Sequence, residues 1–222
     1  MISATTISPL NRRIIDEGAP PFSFGNALEF DGANDYVTGY TLNSNISTIS
    51  FWFYATANSN RRILSSINST SETLRLNGTS LISFTTTIFS GVNLNQWNHF
   101  IYCSNNGALT KAFLNGNKTT HSTTFGASQI GLGAKTALSF GNNFEGKIDE
   151  FAIKENYILS DTEAAQLWNN GNGNNFNNIV GSSDIYWQFN QTSPDSTAND
   201  SSGNGNVGTL NNFDTATCWV AH

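Results

Sequence analysis

The sequence predicts an all-β protein, a two-sheet antiparallel β-sandwich with one short helix near its C-terminal end. Three observations carry this. Short runs that alternate apolar and polar residues recur along the chain, separated by Asn-Gly, Asp-Gly and Asn-Asn-Gly turn signals. Charged residues are only 12% of the 222, about half the usual ~25% share, and Asn, Ser, Thr and Gly take their place. Those side chains compete for backbone hydrogen bonds and favour turns over helices. Finally, 38% of residues are apolar and Phe occurs 16 times, enough to fill the space between two sheets.

The elements follow in order. Residues 1–22 read as an extended arm, punctuated by Pro9, Pro20 and Pro21, whose charges are Arg12, Arg13, Asp16 and Glu17. Residues 27–37 form an alternating strand interrupted by Asp31-Gly32. Residues 47–56 set Ile49, Phe51 and Phe53 on one face and Ser50, Trp52 and Tyr54 on the other. The second face is aromatic too, so it is expected to be covered. Residues 62–67 read as the next strand, and residues 73–76 and 81–86 form a hairpin around Asn77-Gly78. Residues 96–103 place Trp97, His99, Ile101 and Cys103 on one side, then turn through Asn105-Asn106-Gly107 into residues 109–114. Asn115-Gly116 makes another turn, and residues 130–133 and 144–154 supply the last strands. Ser160 and Glu163 form a capping box for a helix carrying Ala164, Leu167 and Trp168, which Gly171 should end. Residues 171–178 are an Asn/Gly linker, and the remainder reads as a two-strand appendage.

The run Ala-Leu-Glu-Phe-Asp-Gly-Ala-Asn-Asp-Tyr-Val at 27–37, answered by Phe-Glu-Gly-Lys-Ile-Asp-Glu-Phe at 144–151, resembles the first and last strands of a laminin-G-like jelly roll. This architecture is shared by legume lectins and pentraxins, within the concanavalin A-like lectin/glucanase superfamily. Trp-Asn-His-Phe-Ile-Tyr at 97–102 with Ala-Phe-Leu-Asn-Gly at 112–116 resembles its central hairpin, and residues 155–171 its closing helix. The resemblance covers residues 23–171. Residues 184–210 resemble the opening of another such module, too short to be completed. The appendage is expected to cover its own sandwich or to be exchanged with a neighbour.

The resemblance implies three kinds of chemistry, each weighed against a plainer role. Some of these jelly rolls hydrolyse β-glucans with carboxylates on a single strand, and a retaining pair lies roughly 5–5.5 Å apart. The nearest match is Glu145, Asp149 and Glu150. Glu145 and Asp149 share a face about 13 Å apart at ~3.3 Å per residue, and alternation turns Glu150 the opposite way. A structural calcium near the first and last strands is implied by Asp31, Asp35 and Asp149, the hard oxygen donors it prefers. The same acids can serve locally, Asp31 closing a turn and Asp149 satisfying loop amides. For a sugar site, Trp52, Tyr54, Tyr36 and Trp97 are platforms by type, although a Trp in mid-strand is more often core.

Other chemistry finds no support. His99 and Cys103 are again about 13 Å apart along a strand, too far for one zinc. The three histidines (His99, His121, His222) show no metal spacing, and no Ser or Cys has His-Asp support. Cys103 and Cys218 read as buried or free thiols rather than a bridge. The six Asn-x-Ser/Thr sites are expected from chance in such a composition. A net charge of −6 without a basic cluster argues against nucleic-acid binding. No apolar run is long enough to form a transmembrane helix, and residues 1–9 do not resemble a secretory signal.

The expected function is non-catalytic. The low charge, uncharged polar surface and terminal extensions resemble virion structural proteins of the capsid-decoration or fibre type. This implies a place on the virion surface, self-association into a homo-oligomer, contact with other virion proteins, and binding of host cell-surface glycans. A secreted bacterial lectin or adhesin domain is the alternative, and a glycoside hydrolase the third reading.

Overall fold

The computed structural model describes residues 22–66, 72–108, 110–125, 128–133 and 142–222. The expected arm, but for Phe22, lies outside the described residues, as do the expected strand positions 67 and 109.

The strands are β1 (Asn26–Asp31), β2 (Tyr36–Thr38), β3 (Thr41–Leu42), β4 (Ile46–Ala55), β5 (Arg61–Ser66), β6 (Glu72–Asn77), β7 (Ser80–Ser83) and β8 (Thr86–Ser90). Then come β9 (Trp97–Asn105), β10 (Thr110–Leu114), β11 (Asn117–His121), β12 (Ser128–Leu132) and β13 (Glu145–Glu155). Helices α1 (Asp161–Trp168) and α2 (Phe176–Val180) precede β14 (Ile185–Trp187), β15 (Thr197–Ala198), β16 (Gly208–Asn211) and β17 (Trp219–Ala221). One sheet has the order β11-β10-β9-β4-β13-β1-β17, with β14 also on β13. The other runs β15-β16-β2-β12-β5-β6-β7-β8, with β3 on β12. The fold is the expected sandwich.

Alternation explains the two cores. Phe51 and Phe53 of β4, Phe100 of β9 and Ile148 and Phe151 of β13 point between the sheets and form the main core with Phe30, Leu76 and Leu132. Their neighbours Ile101, Cys103 and Ala152 face outwards, where α1 and α2 cover them with Ala164, Leu167, Phe176 and Val180. Cys103 and Cys218 are free and buried, one in each core.

Four local expectations are revised. First, α1 has its capping box, but it ends at Trp168, where Asn169 takes the left-handed conformation before Gly171 is reached. Second, the Asn/Gly run contains a helix start. The Asn175 side chain accepts from the Asn178 amide, and Phe176 and Val180 are buried. Third, the C-terminal segment supplies four strands, not two. They are two to four residues long, too short for alternation to show. They join both sheets of their own chain: β14 pairs with β13, β16 with β2 and β17 with β1. Fourth, β13 carries a bulge between Asp149 and Ala152, centred on Glu150 at φ 53°. The extra residue brings Glu150 to the same outer side as Asp149, where strand alternation alone had turned it away.

Candidate functional site

The first and last strands are neighbours in the structure, with Asp31 opposite Glu145 and Leu28 opposite Ile148. At the far end of β1 the chain turns at Gly32, which has φ 77°. Asp31 Oδ1 accepts from the Ala33 amide at 2.7 Å, while Asp35 Oδ2 accepts from the Asp31 amide at 2.9 Å. Asp35 is buried, and desolvation pushes its carboxyl up to about 6. These acids line a cleft of about 320 Å³ with Glu29, Glu145 and Asp214. Arg61 Nη2 donates to Glu145 Oε2 at 2.6 Å and holds that carboxylate at the rim.

Asp149 is not in this cleft. It lies four residues from Glu145 along β13, opposite Trp52 of β4. Its Oδ1 accepts from the Glu150 amide at 2.8 Å, and its Oδ2 lies 2.6 Å from His222 Nδ1. The three acids of the implied calcium site therefore do not fit around one ion. Among the described residues, no three His, Cys, Asp or Glu side chains gather as a metal-holding group.

The outer face of the first sheet is aromatic. By register, Trp97, Tyr54, Lys147 and Glu29 form one row across β9, β4, β13 and β1. His99, Trp52 and Asp149 form the next. Trp52 is 3% exposed and is a floor, not a platform. It stacks on His99 at 4.9 Å and on Trp168 of α1 at 5.4 Å. His99 is fully enclosed, Nε2 3.0 Å from Ser50 Oγ, and burial pushes it down to about 3. Tyr54 and Trp97 are half-buried and meet edge to face at 5.8 Å, with Lys147 Nζ 5.7 Å from the Tyr54 ring. The imidazole of His222 lies flat against Trp97 at 3.8 Å and against Phe24 at 3.7 Å. Burial pushes His222 down to about 4.

Beneath this face two carboxyls sit side by side. Glu150 accepts from the Tyr186 hydroxyl in a short hydrogen bond and from Gln188 Nε2 at 3.4 Å. Burial pushes Glu150 up to about 7. Burial, with the neighbouring Glu150 charge, raises Asp149 well above the ordinary carboxylate range. A retaining hydrolase needs two carboxyls open to one sugar. Here Asp149 is closed by His222, Glu150 by Tyr186, and Glu145 is bound to Arg61 four residues away.

Of the aromatics singled out by type, Trp52, Tyr54 and Trp97 come together, whereas Tyr36 lies on β2 in the other sheet, opposite Asn211. Phe24, Trp168 and His222 complete the cluster. Trp168 was legible as an apolar position of the helix. Nothing in the sequence around His222 marks it, because β17 is a three-residue strand.

Comparison with known proteins agrees with this architecture. No curated protein matches the chain. A protein named as a candidate carbohydrate-binding protein, from Bacteroides ovatus, superposes with a TM-score of 0.60 at 15% identity. The match covers 86% of this chain and 59% of that one, so this chain spans less than two thirds of its length. Domain 4 of AbnA, a GH43 extracellular arabinanase from Geobacillus stearothermophilus solved with arabinotriose, gives 0.52 at 19% identity, covering 70% of this chain and 80% of that one. The native heptameric SAP-like pentraxin of Limulus polyphemus gives 0.51 at 13%, with coverages of 65% and 82%. At these identities the likeness is one of fold. The family model for the concanavalin A-like lectin/glucanases superfamily matches residues 31–165, more than half of the sequence, and the chain belongs to that superfamily.

Proposed function

We propose that this protein is a non-catalytic carbohydrate-binding module that grips glycans on the outer face of its first sheet. The observation that carries this is the half-exposed pair Trp97 and Tyr54, set in one row with Lys147 and Glu29 beside an acid-lined cleft. Aromatic rings offer apolar faces to the C–H faces of sugars, while carboxylates and an ammonium group supply acceptors and donors for hydroxyls. Binding rather than turnover is favoured because the nearby carboxyls are each occupied by a partner. Glycan-array binding by the intact protein, lost on Trp97→Ala with the fold retained by circular dichroism, is the expected result. Unchanged binding by Trp97→Ala would remove this face from the reading. Arabinotriose, the sugar in the arabinanase-domain structure, is a sensible first probe.

We further propose a virion surface as the setting, with the protein as a capsid decoration or fibre component that self-associates and binds host glycans. The support is compositional, a surface rich in Asn, Ser, Thr and Gly with little charge. Mass spectrometry of purified particles and light scattering of the protein test it. Absence from particles would leave the secreted lectin or adhesin reading. Turnover of laminarin that Glu145→Gln abolishes would instead establish a hydrolase.

A further inference from the structure

The slot that holds the His222 ring is built like a ligand site. Phe24 and Trp97 lie within 11° and 4° of its plane at 3.7 and 3.8 Å, so they must flank opposite faces of one flat ring. Asp149 meets the ring's edge at 2.6 Å, and its side chain is 0% exposed. A buried carboxylate is costly unless donors meet it. Among the described residues the donors here are the Glu150 amide and His222, so moving His222 aside leaves Asp149 Oδ2 aimed into an open, aromatic-walled slot. A core position with no binding role would be cheaper to fill with an apolar side chain. The occupant comes from a short element at the sheet margin. It follows β17, a three-residue strand at the edge of its sheet, and the His222 amide reaches the Gly25 carbonyl at 3.3 Å.

We infer that the slot between Trp97 and Phe24 over Asp149 is a ring-binding subsite that His222 occupies in cis, and that its ligand is a sugar ring bearing a hydroxyl donor at its edge. The sugar class rests on the carbohydrate-binding reading above. The slot itself rests only on the geometry around His222. Two aromatic walls take the two faces of the ring, and the Asp149 carboxyl oxygen accepts from the edge hydroxyl. Release of His222 opens the site, so the chain's own side chain competes with the ligand. A closed-to-open ratio of about ten lowers apparent affinity about tenfold.

The test compares the full-length protein with His222→Ala. For any glycan that either binds, His222→Ala is expected to bind about tenfold more tightly, with free imidazole competing. Equal or weaker binding by His222→Ala would overturn the occlusion. Imidazole alone, followed by ligand-observed NMR, probes the slot independently of any glycan. Saturable binding to His222→Ala but not to the unaltered protein, lost when Asp149→Asn or Trp97→Ala is added, supports the site. Melting curves show whether each double variant is folded, and two substitutions guard against the collapse of either. No saturable imidazole binding by His222→Ala would overturn the site. If imidazole enters but no glycan binds either protein, the carbohydrate reading of the face fails while the ring slot stands.

Discussion

Glu150 illustrates how one residue's environment sets a property of the whole protein. Its carboxyl is raised to about 7 by burial, and Asp35 to about 6, so the folded state keeps protons that the unfolded state has lost. A raised carboxyl costs stability when ionised, and the cost disappears as pH falls toward its unfolded value. His99 and His222 act the other way. Burial lowers them to about 3 and about 4, so below their ordinary range the unfolded state gains protons that the folded state refuses. Stability is therefore expected to rise as pH falls from about 8 to about 6.5, and to fall in acid below about 4. Thermal melts across that range check the sign. Glu150→Gln, which keeps a neutral acceptor for Tyr186, should flatten the upper limb. One proton accounts for about 1.4 kcal/mol per pH unit. At the same scale, Asp31→Ala removes the acceptor for the Ala33 amide and should cost about 1 kcal/mol in denaturant melts.

At the level of elements, the sequence was most readable where a local rule acts alone. The Ser160–Glu163 box forms as drawn: Ser160 Oγ accepts from the Glu163 amide at 3.2 Å, and Glu163 Oε2 accepts from the Ser160 amide at 2.6 Å. Ser160→Ala should therefore cost about 1 kcal/mol of stability, measured by urea melts. The long alternating strands β4, β9 and β13 were equally plain, and so were their faces. What escaped were features set by distant partners. The bulge at Glu150 exists because β13 must pair β4 along one edge while β1 and β14 share the other, meeting Ile148 and Phe151 on either side of the shift. No alternation pattern records such a constraint. The platform is a similar case. Trp97 and Tyr54 were identifiable by type, but Phe24, Trp168 and His222 reach it from three separate segments.

The molecule as a whole depends on its C-terminal quarter. Trp187, Ile185 and Phe189 are at most 1% exposed and belong to the main core, which the sheets before them do not close. A large buried aromatic truncated to alanine costs about 3–5 kcal/mol, so Trp187→Ala should approach the stability of the domain and lower its melting temperature sharply. An unchanged melt would show that the segment only decorates the sandwich.

The pairing of β1 with β17 has an engineering consequence. Gly25 and His222 lie side by side at one sheet edge, joined by a main-chain hydrogen bond. A unit of residues 22–222 can therefore be spliced into a surface loop of a host protein without pulling its flanks apart.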